Sequence, residues 1–266
     1  MVTQIDFSEK VRKFLRENGY FIEGVWYPRV TAICQVKSKP GLYKFYGEAE
    51  SFEMANKKKA KAASEGTIIH ELIESFITKR EILVPEEYIG IKKAFESFLK
   101  EHSFFSHKDW IEKKVKHPNH RYAGTLDLLG EVDGAFSLID IKTSAKVYED
   151  YRLQTAAYFY ALNEEPWMRD YNGRKIILPR EIEKRFILRI AQKRICEKCG
   201  GTLYLRNMGD KFVGGEAFCD HKFGEIEGEW ELVEFDNVKE DFEGFLHCKG
   251  LWEWDNREIL KSIGYF

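Results

Sequence analysis

Apolar residues recur along this chain with two spacings, which predict a protein that alternates helices with strands. Stripes with a helical period predict helices over residues 8–18, 48–64, 67–77, 86–101, 150–162 and 238–254. Alternating or continuous apolar runs predict strands over residues 20–30, 110–116, 184–192, 202–206 and 231–235. Gly66 is expected to end one helix and Thr67 to cap the next, while His117 and His120 are expected in a solvated turn.

The clearest local signal is a β-hairpin over residues 121–143, with Asp133 and Gly134 as its turn. Asp-Gly is a preferred pair for a two-residue type I′ turn, because both positions need a positive φ. A two-residue turn at this point sets the register of the two strands. Asp127 is then expected to lie directly opposite Asp140.

The same register gives the hairpin a charged face and an apolar face, because side chains two residues apart share a face of a strand. The charged face is predicted to hold Asp127, Asp140 and Lys142, with Lys142 opposite Thr125. The apolar face is predicted to hold Leu126, Leu128, Ile139 and Ile141.

Two opposed carboxylates repel each other, so a cation is expected between Asp127 and Asp140. Mg²⁺ and similar hard cations prefer oxygen ligands and are held by one or two carboxylates plus substrate phosphate. A nearby lysine such as Lys142 can steer a water and offset the charge of a phosphate. The alternative is an exposed hairpin with solvated acids, but the apolar residues around Asp140 argue against it. In the metal-free protein, Asn at either acid should relieve the repulsion.

Four short motifs resemble the signature of the PD-(D/E)XK nuclease superfamily, in the form of its RecB-like and phage-type exonucleases. Two of them lie on the hairpin, Gly-Thr-Leu-Asp at residues 124–127 and Asp-Ile-Lys-Thr at residues 140–143. Gly-x-x-x-His at residues 66–70 precedes them and Gln-x-x-x-Tyr at residues 154–158 follows. The motifs keep the order of the family, and the resemblance covers residues 60–160.

The resemblance implies a restriction-endonuclease-like core, an α/β fold with a mixed central sheet flanked by helices. It implies that Mg²⁺ or Mn²⁺ is bound by His70, Asp127, Asp140 and the backbone carbonyl of Ile141. It further implies that Lys142 positions the attacking water, that Gln154 orients Lys142 or a phosphate, and that Tyr158 contacts the DNA strand.

The resulting expectation is a metal-dependent DNA exonuclease of recombination, repair or replication, with partner proteins of such a complex. Two other functions stay open at this point: a non-catalytic nucleic-acid-binding subunit and a structure-specific endonuclease. The residues do not indicate the polarity of cleavage, the preference for single or double strands, or the oligomeric state.

A group of late cysteines predicts a second metal site. Cys196 and Cys199 form a Cys-x-x-Cys knuckle, and Cys219 and His221 supply a second pair of ligands about twenty residues later. This resembles a zinc ribbon with structural Zn²⁺. The alternative is an iron–sulfur cluster that uses Cys34 together with the three late cysteines.

Composition adds limits to this picture. The net charge of −2 argues against a protein that coats nucleic acid by bulk electrostatics, so contacts with DNA must be local. The chain has no apolar run long enough for a membrane span, and its cysteines fit metal binding better than a disulfide framework. A cytoplasmic protein is therefore expected. Three parts are predicted: a nuclease core with an N-terminal helical region (1–194), a Cys-rich metal-binding insertion (195–229), and a strand and helix that complete the core (230–266).

Overall fold

Helices and strands alternate in an α/β fold in the computed structural model, which describes residues 8–144, 146–170, 172–206 and 210–266. The helices are α1 Glu9–Asn18, α2 Val30–Cys34, α3 Pro40–Glu48, α4 Phe52–Ile77, α5 Ile89–Glu101, α6 Asp150–Glu164, α7 Val238–Asp255 and α8 Arg257–Ser262. The strands are β1 Gly19–Ile22, β2 Val25–Pro28, β3 Phe104–Phe105, β4 Ile111–His117, β5 Tyr122–Val132, β6 Ala135–Lys142, β7 Trp167–Arg169, β8 Lys175–Ile177, β9 Lys184–Ile195, β10 Thr202–Tyr204, β11 Lys211–Val213 and β12 Glu227–Glu234.

Strands β3 to β12 form one large mixed sheet, in the order β11-β10-β9-β6-β5-β4-β7-β8, with β12 on β9 and β3 on β5. The pair β6–β9 is parallel, and α6 lies in the connection between these two strands, as a parallel crossover requires. The other pairs of this sheet are antiparallel, and β1 and β2 form a separate hairpin. The predicted α/β fold with a mixed sheet flanked by helices is thereby confirmed.

Two apolar clusters lie against the sheet. One cluster joins α6 and α7 to the sheet and includes Leu138, Ala161 and Phe245. The other joins α4 and α5 to the sheet and includes Ile73 and Phe95. Full burial of a large apolar side chain stabilises a fold by about 1.5–3 kcal/mol, so the two clusters hold the helices in place around the central hairpin.

The central hairpin forms as predicted. Asp133 and Gly134 have φ values of 50° and 85°, as a type I′ turn needs. The ladder pairs Val132 with Ala135 and continues to Leu128 with Ile139. The ladder ends there, one residue before Asp127 and Asp140, and beyond it the Ile141 N–H of β6 donates to Asp127 Oδ2.

The predicted apolar face is wrong for one residue. Leu126 packs in the cluster formed with α6 and α7, whereas Leu128 packs with Ile139 in the cluster formed with α4 and α5. The change of face occurs beside Glu112, which has a φ of 51° in the middle of the neighbouring strand β4. Leu126 and Leu128 lie on opposite faces of the sheet, so the two-residue alternation of β5 fails between them.

The predicted helix boundary at Gly66 is also wrong. Helix α4 runs without interruption from Phe52 to Ile77, and Thr67 donates a hydrogen bond to the Ala63 carbonyl within the helix. A helical glycine costs about 1 kcal/mol relative to alanine, and the flanking helical residues outweigh that cost. The space in front of Gly66 is open, with Thr143 Oγ1 3.8 Å from the position that a Cβ would occupy.

The C-terminal region follows the prediction closely. Strand β12 begins at Glu227, four residues before the predicted start of this strand, and pairs with β9. Helix α7 then runs from Val238 to Asp255, and its Phe245 lies in the core. Among the described residues, no helix combines the length and apolar character that a bilayer crossing needs.

His117 is buried rather than solvated, which corrects the expectation of a polar turn. Its ring lies at the end of β4, is 2% exposed and stacks on Phe242. Burial, with repulsion from His120 as a smaller cause, lowers the pKa of His117 from 6.5 to about 4.

Acid is therefore expected to destabilise the fold through His117. The unfolded chain binds this proton more readily, so the stabilisation is present above pH 6.5 and is lost as the pH falls toward 4. We expect a loss of about 1.5 kcal/mol, after allowance for screening by water. Urea unfolding of His117→Gln between pH 7 and 4 should show a flatter pH dependence than the wild type. The exposed His247→Gln is the control, and an unchanged slope in His117→Gln would contradict this assignment.

Candidate active site

Three side chains from three different elements meet at the end of the central hairpin. His70 comes from α4, Glu112 from β4 and Asp127 from β5. Their ligand atoms lie within 4.8 Å of one another. The side chains are 26%, 32% and 13% exposed, so the group is partly sheltered but open to solvent. The structure thus brings together two predicted metal ligands and one residue, Glu112, that the sequence analysis missed.

Glu112 reaches this group through an unusual backbone conformation. It lies between the ladder pairs Ile111–Leu128 and Lys113–Leu126, and therefore opposite Asp127. Its φ of 51° is rare for a residue other than glycine and costs free energy that the surrounding structure must supply. Such strain is characteristic of functional sites. A strand pattern in the sequence carries no sign of it, although the pairing with Asp127 would follow once the register of β4 and β5 is known.

His70 links the three elements. Its Nε2 lies 3.2 Å from the Ile141 carbonyl oxygen, while its Nδ1 lies 3.5 Å from Glu112 Oε1 and 3.9 Å from Asp127 Oδ2. The backbone N–H of Ile141 donates to Asp127 Oδ2 over 2.8 Å. Burial alone would lower the pKa of His70, but the Glu112 and Asp127 carboxylates outweigh it and raise that pKa. The arrangement therefore concentrates negative charge where a cation would sit.

Asp140 lies behind this group in a charge-paired position of its own. It is 1% exposed, accepts a 3.0 Å hydrogen bond from Gln154 Nε2 at Oδ1, and forms an ion pair with Lys142 at Oδ2. Burial raises the pKa of Asp140 to about 6, although the Lys142 ammonium opposes this rise. The Lys142 ammonium also lies 5.1 Å from the centre of the Tyr151 ring. Asp140 is thus not one of the three clustered ligands, and Lys142 supplies its countercharge.

This pairing changes what Asn substitutions should do to the metal-free protein. In EDTA, Asp127→Asn should leave the free energy of unfolding unchanged or raise it, because it removes repulsion with Glu112 while an amide oxygen can still accept from Ile141 N–H. Asp140→Asn should lower it by about 2 kcal/mol, because it leaves the Lys142 ammonium without its partner. Sequence reasoning predicted relief in both cases. Urea unfolding of the two variants tests the difference, and equal stability would contradict the described role of Asp140.

The donor set fits a divalent cation. One imidazole and two carboxylates, with the carbonyl oxygen of Ile141 next to His70, offer nitrogen and oxygen ligands of the kind that Mn²⁺ and Mg²⁺ take. Asp140 Oδ2 is buried against the Lys142 ammonium, so it would be available as a further oxygen ligand only if that ammonium moved away. The remaining coordination positions would be left to water and phosphate.

An open cleft leads to these ligands. It has a volume of about 480 Å³ and is lined by residues of α4 on one side and by Glu112 on the other. Glu71 and Glu74 line it as well, so they face the site without joining the three clustered ligands. The three clustered side chains can therefore be reached from solvent.

Two of the predicted roles on α6 need correction. Gln154 is bonded to Asp140 and not to Lys142, so it positions the acid. Tyr158 is 2% exposed and packs in the core, so it has no surface for the predicted contact with a DNA strand. It lies instead against Gly124, where a Cβ would come within 2.3 Å of Tyr158 Cε1. The glycine of the Gly-Thr-Leu-Asp motif is needed to admit the Tyr158 ring against β5.

The predicted second metal site forms as a compact group of Cys196, Cys199, Cys219 and His221, with ligand atoms within 4.8 Å of one another. Cys196 Sγ lies 3.9 Å from Cys219 Sγ, and Cys199 Sγ lies 3.5 Å from His221 Nδ1. Gly200, with a φ of 71°, turns the knuckle so that its N–H donates to the Cys196 carbonyl. Three thiols and one imidazole at this spacing could bind a metal such as zinc.

The thiols of this group differ in acidity. Burial raises the pKa of Cys196, but hydrogen bonds from backbone N–H groups at Cys199 and Lys198 outweigh it and lower that pKa to about 6. Burial and the neighbouring thiols raise the pKa of Cys219 to about 12. One thiolate forms readily and the next is resisted, which is the situation that a bound cation relieves.

Cys34 does not join this group. It lies on α2 in the apolar cluster with α6 and α7, where burial raises its pKa to about 12 and Cys248 is a neighbour. The four-cysteine arrangement required by the iron–sulfur alternative is therefore not formed.

No protein-family model matches this chain, and no curated protein sequence is significantly similar to it.

Proposed function

We propose that this protein is a metal-dependent nuclease with a restriction-endonuclease-like core, and that it hydrolyses phosphodiester bonds of DNA. The observation that carries the proposal is the meeting of His70, Glu112 and Asp127 at an open cleft, next to a buried Asp140–Lys142 pair. A divalent-ion site beside a lysine at a solvent-filled cleft is the arrangement that phosphoryl hydrolysis needs. The resemblance of the four motifs supports the same class.

In the proposed reaction, His70, Glu112, Asp127 and the Ile141 carbonyl hold Mn²⁺ or Mg²⁺. When bound, the ion polarises a phosphate oxygen and lowers the pKa of a coordinated water. Lys142 donates hydrogen bonds to the attacking water or to a phosphate oxygen, and so offsets the negative charge that develops there.

The residues behind Lys142 position it. Asp140 and the Tyr151 ring hold its ammonium, and Gln154 holds Asp140. Asp140 would be able to supply a further oxygen to the ion if the Lys142 ammonium turned away from it. The resemblance also implies cleavage from strand ends, a product with a 5′-phosphate, and work in recombination, repair or replication alongside partner proteins.

The Cys-rich region would have a structural role in this protein. Cys196, Cys199, Cys219 and His221 are the soft ligands that Zn²⁺ prefers, so we infer a structural zinc that folds the region between β9 and β12.

The test is incubation of purified protein and Mn²⁺ with DNA labelled at one end, single- or double-stranded, with each end either free or blocked. Stepwise loss of nucleotides from free ends is expected. Cleavage of substrates blocked at both ends would make the protein an endonuclease. Binding without cleavage would identify a non-catalytic subunit and contradict the proposal.

A further inference from the structure

A line of cationic side chains crosses the sheet next to the candidate active site. The ladder pairs Thr125 with Lys114, Lys114 with Arg169, and Arg169 with Lys175, on the neighbouring strands β5, β4, β7 and β8. Directly opposed residues project from the same face of a sheet. Lys114, Arg169 and Lys175 therefore form one row, which we call the cationic row.

The cationic row begins at the catalytic hairpin. Thr125 is two residues from Asp127 on β5, and Lys114 is two residues from Glu112 on β4. The row thus runs from Thr125, on the hairpin strand β5, to the β8 edge, over about 14 Å for three strand spacings.

Like charges directly opposed on a sheet destabilise it unless an opposite charge lies between them. Arg169 has a partner in Glu23. Within the described part of the chain, Lys114 and Lys175 form no ion pair, and their contacts are with aromatic rings. The row is therefore short of negative charge, as expected of a surface that receives an anionic ligand.

Aromatic rings hold the cationic groups in place. Lys114 Nζ lies 5.5 Å from the Tyr20 ring centre, and Tyr20 in turn lies 3.4 Å from Thr125 through its hydroxyl. The Trp167 ring lies 5.1 Å from the Arg169 guanidinium and 4.5 Å from Lys175 Nζ. Cation–π contacts restrict the cations while leaving their N–H groups able to donate. A pocket of about 270 Å³ opens beside Lys114, Trp167 and Arg169.

We propose that the cationic row binds the phosphodiester backbone of the substrate strand and guides it toward the metal ligands. The inference rests on the proposed function for the identity of the strand as DNA. The aromatic rings beside the row are already covered by its cationic groups. The cations themselves contact phosphates and not base edges, so this binding is independent of sequence. It also explains how a chain of net charge −2 can hold DNA by a local contact.

The test is the salt dependence of binding, measured by fluorescence anisotropy with a labelled single-stranded oligonucleotide in EDTA, so that cleavage does not interfere. Each phosphate contact on a single strand contributes about 0.7 to the slope of log affinity against log salt concentration. Lys114→Gln, Arg169→Gln and Lys175→Gln should each lower the slope by about 0.7, and the triple variant by about 2. The exposed Lys100→Gln on α5 is the matched control and should leave the slope unchanged.

The outcomes separate this inference from the proposed function. A triple variant that is folded, as judged by thermal unfolding, and keeps the wild-type slope would overturn the cationic row even if the wild type cleaves DNA. If the variants lower the slope but the wild type never cleaves DNA, the cationic row would be supported and the proposed nuclease function overturned. If the variants lowered the slope by about 0.9 for each residue with duplex DNA and not at all with a single strand, the proposal that the row binds one substrate strand would be overturned.

Discussion

Glu112→Gln is expected to abolish metal-dependent cleavage of DNA. The substitution keeps the size of the side chain and removes the charge of one of three clustered ligands, next to His70 and Asp127. Changes outside the ligand shell already cost about 10–100-fold in metal affinity, so loss of a ligand should cost at least about 100-fold. Calorimetric titration with Mn²⁺ measures the affinity, and the cleavage rate under the same conditions measures the consequence.

Glu74→Gln provides the control for this prediction. Glu74 lines the same cleft, one helical turn from His70, and is not a member of the ligand group. Its substitution should change Mn²⁺ affinity little. Wild-type affinity in Glu112→Gln, or equal losses in the two variants, would show that Glu112 is not a ligand.

Cys196→Ser is expected to remove a tightly held zinc and to unfold the region around it. Elemental analysis of anaerobically purified wild-type protein should find about one zinc per chain, with no visible absorption band. In the variant the zinc content should fall, and amides of β10 and β11 should lose their protection from hydrogen exchange. Cleavage of short substrates should persist in part, because the ligands proposed for the catalytic ion lie elsewhere, on α4, β4 and β5.

Cys248→Ser is the matched control, since Cys248 is a partly buried cysteine beside the apolar core and outside the ligand group. It should keep its zinc. If the wild type contained iron with acid-labile sulfide, the site would be an iron–sulfur cluster and the zinc assignment would be wrong. If it retained no metal, the structural role proposed for these four residues would be contradicted.

The central hairpin could be predicted from sequence because local chemistry determines it. Asp133 and Gly134 specify the turn, and the turn specifies which residues face each other. The Cys-rich group could also be predicted from sequence, because its four side chains lie in two short motifs whose spacing suits one ion.

Other parts of the site depend on tertiary structure, and no local sequence pattern predicts them. Glu112 contacts His70 from a left-handed backbone conformation in β4, and on the neighbouring strand Leu126 and Leu128 pack on opposite faces of the sheet. Helix α4 continues through Gly66 because packing and helix length outweigh the propensity of one glycine. Tyr158 is buried because Gly124 leaves room for its ring.

The central claim is that this site hydrolyses DNA with a bound divalent ion and with Lys142 at the attacking water. The most direct measurement compares the wild type with Lys142→Ala, in Mn²⁺, on one labelled oligonucleotide with protein in excess. The wild type should degrade the DNA completely, whereas Lys142→Ala should bind it in the presence of metal and leave it intact. Intact DNA with the wild type, or equal degradation by the two proteins, would contradict the account.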